Sequence, residues 1–349
     1  MTVTGQLREI ESNELVAVFD GDQEAFRKVT DAYFRELHVH CYRLLGSFHD
    51  AEDAMQETLL RAWRHRASFE RRSSFRAWLY RIATNVCLTM RARHVVEPPV
   101  VPPILAPAVA ASTEPASHLS PYPDALLDEL EATADNPAAA FDLRESVQLA
   151  FLTAVQLLPP RQRAVLLLRD VLSFSAAEVA EQLDSTTASV NSALQRAHAT
   201  LQKQRSLGRV APERAAPSES AEQRLVERYL EAWSAADVRG LAELLSHDAV
   251  MTMPPVPLRY AGREAIAEFF ATVPAVTGVF ARVRFVPIRA NRQPALAGYR
   301  LVPETGRRRA WAVFVLTLDG ECIAELTVFL DPTLFPAFGL PMDLDAADL

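Results

Sequence analysis

Apolar residues recur at helical spacing through most of the first 205 positions. Ala25, Phe26, Val29, Ala32, Tyr33 and Leu37 fall on one face of a helix. A second helix is predicted from near His49-Asp50, with acids in its first turn, to about His65. Ser73-Ser74 can cap a third, in which Phe75, Leu79, Ile82 and Val86 form an i, i+4, i+7, i+11 stripe. The periodicity returns over 142–205, where Leu157-Leu158-Pro159-Pro160 interrupts one helix. Ser175–Leu201 then has a helix-turn-helix pattern. Ala176, Val179, Ala180 and Leu183 line its first helix, Asp184-Ser185-Thr186 makes the turn, and Val190, Leu194, Ala197 and Leu201 line its second.

The last third changes period. One helix carries Val226, Tyr229, Leu230 and Trp233, and further apolar stretches cover Leu241–Leu245 and Ala265–Phe270. Strand-like runs follow at Phe280–Arg289, Ala295–Val302, Arg309–Leu318 and Cys322–Leu330, with turns at Glu304-Thr305-Gly306 and Asp319-Gly320. Helices followed by an antiparallel run predict an α+β domain. The expected fold class is multidomain: all-α domains at 12–94 and 142–205, and an α+β domain at 221–337. A linker at 95–141, a joint at 206–220 and a tail at 338–349 complete the chain.

Composition sharpens the linker. Val95–Leu143 has nine Pro, eight acids, no Gly and no Lys or Arg. Proline at that density predicts extended chain for the first part, although a short helix fits Ala125–Ala134. Across all 349 residues, 49% are hydrophobic and 23% charged, enough for real cores. Cys41, Cys87 and Cys322 are distant in sequence and form no Cys/His ligand spacing, so neither a metal site nor a disulfide framework is expected. There is no apolar run of about 20 residues and no signal-peptide pattern, so the cytoplasm is the default compartment.

Charge is unevenly spread. The net charge is −8, yet Arg61–His94 holds nine arginines and one acid, Glu70. Trp63, Phe69, Phe75, Trp78 and Tyr80 interleave with them. Cations neutralise phosphates and aromatics stack on unpaired bases, so this segment suits nucleic acid, single strands included. On the third helix Trp78, Arg81 and Asn85 share a face distinct from the apolar stripe. In the helix-turn-helix, the outer face of the second helix shows Asn191, Ser192, Gln195, Arg196 and His198. Asn and Gln can pair with adenine, and Arg with guanine, in the major groove.

Two blocks carry a resemblance. Asp50-Ala51-Glu52-Asp53-Ala54-Met55-Gln56-Glu57-Thr58-Leu59-Leu60-Arg61-Ala62-Trp63-Arg64 resembles the core-binding segment of extracytoplasmic-function RNA polymerase sigma factors. Ser68–Asn85 resembles the promoter-melting segment of that family, and 142–205 its −35 reader. The resemblance implies that Asp50, Asp53, Gln56, Glu57 and Arg61 contact core RNA polymerase, with Trp63 packed inward. It implies that Arg71, Arg72, Ser73, Trp78, Arg81 and Asn85 hold the −10 non-template strand, and that the helix-turn-helix residues read duplex promoter DNA. Asn191, Ala193 and His198 depart from the family's usual basic residues there. The linker is either a plain spacer or, with its eight acids, an RNA mimic in the polymerase cleft.

Residues 221–337 resemble the SnoaL-like fold of polyketide cyclases and ketosteroid isomerases, which encloses an apolar cone. Trp233, Met253, Phe270, Tyr299 and Trp311 are candidates to line it, for a small apolar ligand. Ketosteroid isomerases carry a carboxylate base just before a proline, where this chain has Met253 before Pro254. A thioether takes no proton, so no enzyme is expected; no cofactor is expected either, and no metal, given the cysteine spacing. The expected function is a promoter-specific initiation factor regulated in cis by its last domain. The alternative is a DNA-binding regulator fused to an isomerase-like enzyme.

Overall fold

The computed structural model describes residues 15–69, 74–93, 101, 103–111, 119–131, 146–206, 217–274 and 278–345. They fall into two compact units, one of residues 1–96 and 126–211, the other of 97–125 and 212–349.

In the first unit the helix ends are set by short polar side chains. The Asp22 carboxylate accepts the Glu24 and Ala25 amides at 2.9 and 3.1 Å and starts α1 (Gln23–Leu45). Gly46, at φ +82°, closes it by donating to the Tyr42 carbonyl at 2.7 Å, a left-handed cap that suits a residue without Cβ. Ser47 then caps α2 (Phe48–His65), its hydroxyl accepting the Asp50 amide at 3.2 Å. With α3 (Phe75–Arg93) these helices bury Leu37, Leu44, Ala54, Met55, Leu79 and Val86. Ile82, expected on the buried stripe of α3, is only half-buried. Tyr80 is fully buried instead, edge-on to His40 at 5.0 Å and to Phe174 at 5.5 Å, because a second helical layer covers that side.

The chain next supplies α4 (Ala106–Ala111) to the second unit and forms α5 (Asp124–Glu131) where it returns to the first. The second helical layer comprises α6 (Leu149–Gln156), α7 (Pro160–Leu166), a π-turn at Leu167–Val171, α8 (Ala176–Gln182) and α9 (Thr187–Ser206). A full capping box starts α8: Ser175 and Glu178 each accept the other's backbone amide, at 3.2 and 2.7 Å. The turn into α9 passes through Asp184 at φ +45°.

Arg163 ties the two helical layers together. It is 2% exposed, and its five N–H groups meet the carbonyls of Leu44, Val155, Gln156 and Leu158 and the Gln156 side chain, at 2.6–3.1 Å. Those are carbonyls at the C-terminal ends of α1 and α6, which a helix cannot satisfy by itself.

The second unit is an α+β domain. Helices α10 (Glu219–Ser234), α11 (Val238–Glu243), α12 (Arg263–Thr272) and α13 (Val279–Arg282) accompany a seven-stranded sheet. Its strands are β1 (Leu245–Met253), β2 (Val256–Ala261), β3 (Val283–Ala290), β4 (Gln293–Val302), β5 (Arg307–Asp319), β6 (Cys322–Phe329) and β7 (Asp343–Leu344). The order is β2-β1-β6-β5-β4-β3, with β7 on β5; β1 and β6 run parallel and the other pairs antiparallel. Trp233 centres the core, with the rings of Phe280, Phe285 and Phe314 at 4.7, 5.0 and 5.8 Å. At Gly298 a Cβ would stand 3.0 Å from the Phe285 ring, so its absence lets that ring lie across β4.

The linker differs most from expectation. Leu105 belongs to the buried core around Trp233, and Val101 and Val109 pack against it. Farther on, Tyr122 is fully buried. Its amide donates to Asn291 Oδ1 at 2.8 Å and its carbonyl accepts the Asn291 amide at 2.9 Å. Asp124 accepts the Arg292 amide at 2.8 Å and faces Arg289 Nε at 3.4 Å. Asn291 and Arg292 form the β3–β4 turn at φ +55° and +61°, which costs an arginine energy that these linker contacts offset. Over these residues the segment is folded rather than extended: its apolar side chains found a core far off in sequence.

Candidate functional site

The acidic face of α2 has Asp53 and Gln56 exposed, Asp50 half-exposed, and Glu57 paired with Arg61 at 2.6 Å. Beside it lies a groove of about 500 Å³, lined by Gln23, Phe26, Gln56, Leu59, Leu60 and Trp63. Leu60 is 50% exposed. Trp63, expected inward, is half-buried: Phe26 meets it edge-on at 5.2 Å and the Arg66 guanidinium stands 4.1 Å from its ring. An open apolar groove on a helix whose neighbouring positions carry Asp53 and Glu57 suits a protein partner with an apolar ridge and basic flanks. Phe26 and Leu60 were missed from sequence. The Leu59-Leu60 doublet was the signal, since α2 cannot bury both.

On α3, Trp78 is half-buried against Phe69 and Phe75, with ring centroids at 5.5 and 5.4 Å. Arg81 is 40% exposed and pairs through Nη2 with Asp184 Oδ1 at 2.8 Å. Asn85 donates from Nδ2 to the Gln182 carbonyl at 3.4 Å. Arg71, Arg72 and Ser73 lie outside the described residues. On α9, Asn191, Ser192, Gln195, Arg196 and His198 are all exposed, and His198 contacts Asp170 at 2.7 Å. Ala193, noted as a departure from a basic pattern, is buried and belongs to the packed side of the helix.

The cone candidates separate. Trp233, Met253 and Phe270 join one buried core, and Trp311 packs against it, 5.9 Å from Phe314. Tyr299 does not join them. Strand alternation puts it on the other sheet face, where its hydroxyl donates to the Pro341 carbonyl at 2.8 Å and its ring meets Phe335 at 5.0 Å. Among the described residues the Tyr229 hydroxyl and the Trp233 indole N–H have no hydrogen-bond partner, and burial raises the Tyr229 pKa. Among the described residues no cluster of three His, Cys, Asp or Glu offers a metal site, and no helix is long and apolar enough to cross a membrane.

Comparison with known proteins fits this geometry. Residues 29–95 match the Sigma-70 region 2 family, 148–201 the Sigma-70, region 4 family, and 226–326 the SnoaL-like domain family. The ECF RNA polymerase sigma factor SigG of Mycobacterium tuberculosis is 41% identical over 324 residues, covering 91% of this chain and 85% of that one. The chain belongs to the extracytoplasmic-function family of RNA polymerase sigma factors. SigW of Bacillus subtilis, another such factor, is 30% identical over 53% of this chain and 90% of its own. The crystal structure of the Mycobacterium tuberculosis sigma factor SigJ superposes with a TM-score of 0.58, covering 90% of this chain and 99% of that one at 21% identity, a likeness of fold. As a sigma factor the chain binds core RNA polymerase and directs promoter-specific initiation. Its α1–α3 bundle is region 2, its α6–α9 layer is region 4, and a SnoaL-like domain is fused behind them.

Proposed function

We propose that the SnoaL-like domain regulates initiation in cis by holding the connector between regions 2 and 4. The burial of Tyr122 and Asp124 against the Asn291-Arg292 turn carries this reading. A connector folded over Leu105 and Tyr122 spans less distance than free chain of equal length, which limits how far regions 2 and 4 separate. The α2 groove and the acids beside it dock on polymerase, the Trp78–Asn85 face of α3 holds the −10 strand, and the outer face of α9 meets the −35 element. We read the SnoaL-like domain as non-catalytic, since Met253 occupies the place of a base and is buried. A ligand of its cone would be small and apolar, with an acceptor for the unpartnered Tyr229 and Trp233 donors.

Run-off transcription with core polymerase tests the reading. The template is the promoter upstream of the chain's own gene. The intact chain is compared with one ending at Arg209 and with Asp124→Ala. Both altered chains are expected to change initiation several-fold at unchanged core affinity. Equal activity, promoter choice and core affinity in all three would refute regulation in cis.

A further inference from the structure

We propose that one end of the SnoaL-like sheet, where Arg300, Arg307 and Arg309 stand together, is a binding surface for the phosphates of duplex DNA, screened by the acidic strand β7. Arginines crowd this part of the chain: Arg282–Arg309 holds eight of them and one acid, Glu304. The fold engages half of them elsewhere. Arg289 and Arg292 face Asp124, and Arg289 also meets Glu222. Arg284 donates to the carbonyls of Phe280 and Val283, and Arg308 to that of Arg282. Burial, then Arg284, holds Arg308 below the usual arginine range. Arg282, Arg300, Arg307 and Arg309 remain, all exposed.

The pairing of β4 with β5 sets Arg300 directly opposite Arg309, and Arg307 lies two residues before Arg309 on the same face. Like charges directly opposite one another destabilise a strand pair, so this arrangement calls for anions over it. The strand β7 brings two. Its pairing with β5 places Asp343 opposite Arg309, with Oδ1 3.1 Å from Arg309 Nε. Asp345 Oδ1 is 3.1 Å from Arg307 Nε. Arg300 has no hydrogen bond or ion pair among the described residues.

The screen is slight. Arg307 is 53% exposed and Arg309 65%, and β7 is two residues long. Ion pairs so exposed contribute little and yield to a competing anion. A phosphate oxygen takes an arginine as these carboxylates do. Side chains on one face of β5 repeat about every 6.8 Å, and the gap across to β4 is about 5 Å. Cations fixed at such intervals suit a line of charges rather than one small anion. A sigma factor works on promoter DNA, whose backbone is such a line.

The test is anisotropy of a short fluorescein-labelled duplex of non-promoter sequence with the intact chain, without polymerase, over a range of salt. Asp343→Asn with Asp345→Asn removes both carboxylates at constant shape. Asp319→Asn with Glu321→Gln makes the same change of charge at exposed positions around the turn at the other end of β5. The tail variant is expected to bind about three- to ten-fold tighter than this control, its salt slope steeper by about one to two, since each phosphate contact adds about 0.9. Adding Arg300→Gln to the tail variant should take back about one unit of slope. Equal affinity and slope in the tail variant and the control would overturn the proposal. So would a gain that Arg300→Gln leaves intact, because the added charge then acts elsewhere. A tail variant that gains affinity for core polymerase and none for DNA marks the surface as a protein contact, and overturns it too.

Discussion

At the scale of single residues, burial decides more than charge does. Arg163 has five donors on five acceptors and 2% exposure, and burial pulls its pKa down to about 9, with Arg91 adding to the effect. Arg163→Met takes a donor from four backbone carbonyls, of which Val155's keeps the Leu158 amide at 3.1 Å, at about 1–3 kcal/mol for each carbonyl left unpaired before relaxation. We expect a net loss of about 3–5 kcal/mol in the first unit, read as faster hydrogen exchange of the α1 amides. Arg163→Lys, with three donors and no planar fork, should recover only part of it.

His38 and His40 are both buried on α1 but on different sides, His38 against Phe34 and Phe48 and His40 against Tyr80 and Thr84. Burial, then Arg35, lowers His38 from 6.5 to about 4; burial, then Arg43 and Arg76, lowers His40 to about 3. Their folded pKa values lie below the unfolded one, so the unfolded chain binds more protons between them. Stability is therefore full above pH 6.5 and falls as pH drops toward 4, by about 2 kcal/mol for each ring at pH 5. The urea midpoint of the helical signal should drop accordingly between pH 7 and pH 5. A His40→Asn variant should flatten that slope, and a slope unchanged by it would remove His40 from the account.

At the scale of elements, α2 divides its surface between the core and an open groove. Its inner face buries Ala51, Ala54, Met55 and Thr58, and its outer edge leaves Leu60 half-exposed over the groove. A half-exposed leucine beside Phe26 and Trp63 is the kind of anchor on which interfaces concentrate their energy. Leu60→Glu should weaken binding of the intact chain to core polymerase at least ten-fold, or about 1.4 kcal/mol. Its thermal unfolding should stay close to wild type. Undiminished affinity would place the docking surface elsewhere on the chain. The helices, their caps and this doublet were legible from sequence because they depend on residues three or four apart. Ile82, expected on the buried stripe, is only half-buried, and the burial of Tyr80 was not foreseen, because region 4 packs on that side of α3, which no local pattern records.

At the scale of the whole molecule, the connector is the decisive element. Its proline and acid content reads as a solvated spacer, yet Leu105 and Tyr122 are buried in the second unit. That is why Asp124→Ala and removal of residues beyond Arg209 are expected to act alike on initiation: each releases a segment that joins two DNA-reading regions. The same scale explains the cysteines. Cys41 and Cys87, 46 positions apart, share a hydrogen bond, and burial raises the Cys87 thiol well above its usual range.

By itself the sequence determined the helices of both sigma regions, the α+β character of the last domain, the family resemblance and the outer face of α9. These follow from periodicity, capping and motif spacing, all properties of neighbouring residues. The tertiary structure alone decided that Arg81 and Asn85 face Asp184 and Gln182, that Tyr299 lies on the far face of the sheet, and that the connector joins the SnoaL-like core. Those pairings cross separations of 103, 97 and 42 residues for Arg81, Asn85 and Tyr299. Such contacts form because buried apolar surface and unsatisfied polar groups seek any partner in reach, however distant along the chain.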